Sequence, residues 1–234
     1  SKIGFRPLFL LTWIPAGLAV LCFWGLVKDR KRADFPRFSF AQGLRAFSPE
    51  YRRFLAAVTL FGMADFSHTL LIYWAGVLLA PVYGIANASS LAILLYVLHN
   101  VVYAAASYPM GHLADKIGKY RVLSLGYLIA CAMFFGLAFA KPSVGYLAVL
   151  FVLGGLAMAV EDALERAAAG DLLSPGIKGT GYGVLATLNG AGDMLSSFLV
   201  GILLSVGSPV IAFGYCMIVG LAGAVCMLRV GSHR

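Results

Sequence analysis

Residues 88–140 read ASSLAILLYVLHNVVYAAASYPM (88–110), GHLADKIGKYR (111–121) and VLSLGYLIACAMFFGLAFA (122–140). Each flank is an apolar run of about twenty residues, long enough as a helix to cross roughly 30 Å of hydrocarbon. The middle segment holds an acid, three bases, a histidine and two glycines. A polar hinge between two apolar helices is the unit of a polytopic membrane protein, because only helices and closed barrels satisfy their own backbone in lipid. This unit predicts an all-α polytopic bundle.

The same pattern extends outward in both directions. Further runs lie at approximately 8–27, 54–80, 144–168, 180–206 and 209–228, giving about seven transmembrane helices. The chain is 61% hydrophobic and only 12% charged, which a water-soluble domain of 234 residues cannot sustain over its surface. Cys22, Cys131, Cys216 and Cys226 all lie within the runs without CxxC spacing, as small apolar packing residues do.

The net charge of +8 does not point to nucleic acid, since the bases sort by side of the membrane. Lys28, Arg30, Lys31, Arg32, Arg37, Arg45, Arg52, Arg53, Lys116, Lys119, Arg121, Arg166, Lys178, Arg229 and Arg234 fall on one side, and only Lys2, Arg6 and Lys141 on the other. The positive-inside rule puts the first group in the cytoplasm. The first residues are then outside and the last inside. Residues 1–27 are read as the last helix of a preceding half, 28–53 as a cytoplasmic linker and 54–234 as a six-helix bundle. The start at Ser1 rather than Met predicts a longer protein with more spans upstream. Within the linker, Phe40, Leu44, Phe47 and Tyr51 recur at helical spacing among basic residues, as in a helix on an anionic lipid surface or in a solvated linker. Ser48-Pro49-Glu50 reads as a helix start.

Half of the acidic residues sit inside the apolar runs: Asp65, Glu161, Asp162, Glu165 and Asp193. A carboxylate at a helix centre costs about 2.5–3.5 kcal/mol on insertion scales, so such groups face a protein interior or a wet cavity. Asn189, Asp193 and Ser196 or Ser197 share one helical face, and so do Glu161 and Glu165. Asp162 and Arg166 form an i,i+4 pair. Asp65 and His68 lie three residues apart, compatible with a proton relay or a metal ion, and His99 adds an imidazole in the next span. Asp193 and Asp65 lead as candidates for a coupling proton or a cationic substrate, with Glu161, Asp162, Glu165, His68, His99 and Asn189 behind them. In the six-helix half, the third and sixth helices read as apolar scaffold and the other four as cavity lining. The sequence lacks GxSxG, HExxH and a P-loop, and no cofactor or metal centre is expected.

The segment GHLADKIGKYRVL (111–123) closely resembles the loop signature GxLaDrxGrrrvl of the major facilitator superfamily. It matches at Gly111, Leu113, Ala114, Asp115, Gly118 and Arg121, with Lys at 116 and 119 and Tyr at 120 in place of Arg. FRPLFLLTWIPAGLAVL (5–21), FGMADFSHTLLIYWA (61–75) and EDALERAAAGDLLSPGIKGTGYGVL (161–185) are similar to the sixth helix, the seventh, and the tenth-to-eleventh segment of bacterial members. The resemblance implies alternating access between two six-helix halves, with the loop of Gly111, Asp115, Lys116, Gly118, Lys119 and Arg121 stabilising one conformer. It further implies an exporter in the bacterial inner membrane, with membrane lipid and a missing first half as partners. The acidic lining favours proton-coupled efflux of a small cationic or amphiphilic solute. A metal ion, or a non-transporting membrane scaffold, stands as the alternative.

Overall fold

The computed structural model describes Pro7, residues 10–26 and residues 39–231. Among them the chain is helical, with no strand. The basic residues of 28–37, the two outer bases Lys2 and Arg6, and Arg234 lie outside the described residues. Two compact units divide the chain, 1–36 and 37–234. The first contains α1 (Trp13–Leu26), apolar on every face.

The second unit begins with α2 (Phe40–Arg45), opened by a capping box in which Ser39 and Gln42 exchange side-chain-to-backbone hydrogen bonds. The helical stripe expected from Phe40 to Tyr51 is not one helix. The α2 helix stops at Arg45, and α3 (Pro49–Gly62) starts where Ser48-Pro49-Glu50 indicated, with the Ser48 hydroxyl accepting from the Tyr51 amide at 3.1 Å. Phe47 and Tyr51 point into the bundle rather than outward. The Tyr51 hydroxyl donates to the Gly181 carbonyl at 2.8 Å, and a Cβ on Gly43 would lie 3.0 Å from the Thr180 methyl. The segment is therefore seated on protein through Gly43, Phe47 and Tyr51, while Phe40 stays exposed.

The apolar run 54–80 is also not continuous. After α3, residues 63–67 leave helical geometry, and α4 (His68–Tyr83) begins anew with Ser67 as its N-cap. Non-helical backbone within a membrane must be satisfied by protein. Here the Tyr215 hydroxyl donates to the Met63 carbonyl at 2.9 Å, and the Ser67 amide donates to the Ser197 hydroxyl at 2.9 Å. A hydropathy pattern registers the apolar side chains on both sides and not these tertiary bonds.

The remaining elements are α5 (Ile85–Ile117), α6 (Lys119–Ala138), α7 (Val144–Leu172), a 3₁₀ turn (Pro175–Ile177), α8 (Lys178–Ser205) and α9 (Pro209–Gly231). All five are long and apolar enough to span a bilayer, α8 together with the turn before it; α1 and α4 are shorter apolar helices. The most extensive packing joins α6 to α9 and α5 to α7, followed by α6 to α7 and α3 to α9. Glycines set the close approaches. A Cβ on Gly155 of α7 would lie 2.5 Å from the His99 carbonyl oxygen of α5, and one on Gly192 of α8 would lie 2.8 Å from the Gly62 carbonyl carbon. Small residues at such crossings let helices pack by van der Waals contact where lipid supplies no hydrophobic drive.

At roughly 1.5 Å per residue, α5 reaches about 50 Å, more than the hydrocarbon thickness.

Candidate functional site: an acidic cavity and its inner loop

A cavity of about 950 Å³ lies among α3, α4, α5, α6, α7 and α8. The break at 63–67 brings Asp65 to its wall instead of burying it in a helix packing face. From α7 come Glu161, Asp162 and Glu165, and from α8 come Asn189 and Asp193. His68 and His99 complete the set, so all eight residues singled out within the spans line one space. The carboxylates of Asp65, Glu161, Glu165 and Asp193 act on one another electrostatically across it.

The five acids are not equivalent. Glu165 is buried and held at both oxygens: the Tyr127 hydroxyl donates to Oε1 at 2.6 Å and the Asn189 amide to Oε2 at 2.8 Å. Asp162 accepts from the Tyr103 hydroxyl at 2.8 Å and lies 3.6 Å from the exposed guanidinium of Arg166, as the i,i+4 spacing suggested. Asp65, Glu161 and Asp193 have no such partner among the described residues. These three are the free carboxylates of the cavity. The expected link between Asn189 and Asp193 is one of face only; Asn189 spends its amide on Glu165 instead.

Tyr127 was not foreseen as a site residue. It sits on α6, read from its apolar run as scaffold, yet α6 also contributes Ala130, Met133 and Phe134 to the wall. The α9 helix contributes none of the lining residues and matches the scaffold reading. A single tyrosine in an apolar run gives no spacing signal; only the fold places it against Glu165.

His99 is fully buried, and neither ring nitrogen has a hydrogen-bond partner. Its ring lies edge-on to His68 at 4.9 Å and stacks near Tyr96 at 5.6 Å. Asn189 likewise leaves its buried Oδ1 without a donor. Among the described residues no group of three or more His, Cys, Asp or Glu is arranged to hold a metal ion. The His68–His99 pair offers two imidazoles without a third ligand.

In the segment 111–121, of its two glycines only Gly118 makes the turn. Gly118, with φ of 101°, ends α5 and starts α6. A positive φ of that size is costly for a residue with a Cβ. Gly111 lies inside α5, with open space beside it. Lys119 forms a 2.7 Å ion pair with Asp171, joining the start of α6 to the end of α7. A second hollow of about 400 Å³ gathers Asp115, Gly118, Lys119, Arg121, Asp171 and Gly231. Lys116 lies on the last turn of α5, where a base complements the helix dipole.

The sequence pattern described as Major Facilitator Superfamily matches residues 78–234, which covers the loop, the acidic helix α7 and α8. The chain belongs to the major facilitator superfamily. It is 28% identical over 227 residues to an uncharacterised MFS-type transporter of Methanocaldococcus jannaschii, covering 97% of this chain and 56% of that protein. The chain thus spans about half the length of the curated relative it matches. No solved structure matches it. Membership makes it an integral membrane protein of a transporter family.

Proposed function

We propose that this chain is the second half of a secondary transporter, 54–234 forming a six-helix bundle that works with a first half by alternating access, to export a small cationic or amphiphilic solute against protons. The observation that carries this reading is the charge balance of the cavity. Five carboxylates line it against one basic side chain, Arg166, which is paired with Asp162. An anion would meet no free positive group there. A cation, or a proton, would meet Asp65, Glu161 and Asp193. Phe61, Phe66, Tyr96 and Phe134 supply apolar and aromatic wall for an amphiphile.

In this mechanism the free carboxylates take up protons from one side and release them when the cation enters. Glu165, tied by Tyr127 and Asn189, holds α6, α7 and α8 together beneath them. The loop of Gly111, Asp115, Lys116, Gly118, Lys119 and Arg121 closes one conformer at the cytoplasmic face, with the N-terminal end of this chain outside, in a bacterial inner membrane.

The test is transport by the full-length protein in liposomes with an imposed pH gradient, using ethidium as the cation. Wild type should accumulate ethidium uphill. Asp193→Asn and Asp65→Asn should each abolish gradient-driven accumulation while the proteins still insert. If accumulation ignores the pH gradient, proton coupling fails; if both variants transport at the wild-type rate, these carboxylates are not the coupling groups. A metal-ion substrate is the second reading, favoured by the 4.9 Å contact of His68 and His99, and predicts uptake of zinc or cobalt that a His68→Ala variant loses.

A further inference from the structure

The cavity is unbalanced in hydrogen bonding as well as in charge. Asp65, Glu161 and Asp193 are acceptors without a hydrogen-bond or ion-pair partner among the described residues, and Oδ1 of Asn189 is a buried acceptor without a donor. His99 is 0% exposed, with both ring nitrogens unpartnered. A buried polar atom without a partner costs about 1–3 kcal/mol, so each of these atoms favours a ligand that completes it.

A neutral imidazole presents one acceptor nitrogen and one N–H. His99 cannot obtain either bond from its own surroundings. Gly154 lies against its ring, a Cβ there meeting His99 Cδ2 at 3.2 Å, and Tyr96 stacks beside it. His68 and His99 both line the cavity with their rings 4.9 Å apart, and His68 is the first residue of α4, which follows the non-helical segment of Asp65. Among the described residues no hydrogen bond fixes the His68 ring, whose ring contacts are with Tyr96 and His99.

We infer that the cavity takes a protonated amine bearing N–H donors in preference to a permanent quaternary cation, the carboxylates supplying attraction to either and His99 with Asn189 Oδ1 supplying neutral acceptors that only an N–H can use. The inference rests on the cation reading above. A quaternary head satisfies the charge of Asp65 and Glu161 but leaves His99 and Asn189 unpaired. A site built to hydrogen-bond discriminates strongly against a ligand lacking the partner.

The experiment uses two probes of equal charge and the same apolar tail, 4-phenylbutylammonium and 4-phenylbutyltrimethylammonium, with binding to the full-length protein in nanodiscs measured by calorimetry. Wild type should bind the primary ammonium about tenfold or more tightly. His99→Phe, or His99→Met where the first does not fold, should bring the ratio of the two affinities towards one. His99→Gln, which keeps an acceptor oxygen, should retain much of the preference. Asp65→Asn should weaken both probes. Equal wild-type affinities overturn the inference and leave the cation reading standing; a preference that survives both apolar replacements of His99 overturns the role given to His99. If neither probe binds, the cation reading itself falls and the inference with it.

Discussion

Gly155 is the position where one added methyl group tests the link between helix packing and the cavity. Its ideal Cβ would lie 2.5 Å from the carbonyl oxygen of His99, 3.2 Å from Val102 Cβ and 3.3 Å from the His99 carbonyl carbon. A carbon and an oxygen settle at about 3.3 Å or more, so α5 and α7 must part by roughly 0.8 Å. The obstacle is backbone and cannot turn aside. Overpacking of this kind costs about 1–3 kcal/mol, and the displaced element is the turn of α5 that carries His99 on the cavity wall. At Gly154 the nearest atom is the Met133 sulfur at 2.8 Å, the end of a flexible side chain. Gly154→Ala should therefore cost less. Gly145, at the start of the same helix, has nothing within 4 Å, so Gly145→Ala should be neutral or stabilising by less than about 1 kcal/mol. The assay is thermal unfolding of the purified full-length protein followed by size exclusion, with ethidium binding measured in parallel. The expected order of damage is Gly155→Ala, then Gly154→Ala, then Gly145→Ala, with cation binding weakened by the first. A Gly155→Ala protein as stable as wild type with unchanged binding would refute the packing argument.

Three further outcomes follow from other parts of the molecule. Gly118→Ala forces a side chain onto φ of 101° and should destabilise the loop by about 1–2 kcal/mol, read as lower thermal stability and slower transport; an unaltered protein would show that the turn relaxes freely. Tyr127→Phe removes the donor at 2.6 Å from Glu165, leaving that buried carboxylate with Asn189 alone, and should lower transport while Tyr146→Phe, on a hydroxyl bonded to the Gly136 carbonyl away from the cavity, should not; equal effects would assign Tyr127 a packing role only. Lys119→Cys should be labelled by an impermeant thiol reagent only from the cytoplasmic side, at a stability cost under about 1 kcal/mol because its pair with Asp171 is partly solvated; labelling from outside intact cells would reverse the orientation.

Most of the helical architecture was legible because apolar length is a strong signal in a chain of this composition. The spans read as 88–110, 122–140, 144–168, 180–206 and 209–228 correspond to α5 to α9, with ends that differ by up to several residues. The acidic set was legible for the same reason: a carboxylate in an apolar run stands out, and all five line one cavity. What was not legible depends on contacts between distant segments. Asp65 was visible, but the loss of helix around it rests on Tyr215 and Ser197, 152 and 130 residues away from the backbone atoms they satisfy. Tyr127 was hidden by its apolar neighbours, and Gly111 was given a turn role that Gly118 alone fills. Phe47 and Tyr51 had the spacing of a lipid-facing stripe, and the same spacing serves to dock a segment on the start of α8.

The broken span explains how the free carboxylates persist in an apolar setting. On a continuous helix, Asp65 would be fixed to whichever face the helical repeat gave it, between Phe61 and Phe66, both of which are buried. Interrupting the helix frees several backbone amides and carbonyls, and this chain recovers them locally, with the Asp65 amide donating to the carbonyls of Phe61 and Gly62, and remotely through α8 and α9. The side chain can then face the cavity while the backbone stays satisfied. Because Ser197 lies one turn beyond Asp193 on α8, the helix that pins the break also carries the opposing carboxylate. Gly192, next to Asp193, is pressed against Gly62 of α3, so α8 and α3 approach closely beside these carboxylates. At an effective dielectric near 20, two like charges about 4 Å apart repel by about 4 kcal/mol, an energy that falls as the charges part. Under the proposed function, a proton or a cation taken up at Asp65 or Asp193 would remove such repulsion, and occupancy of the cavity would then bias the arrangement of the helices.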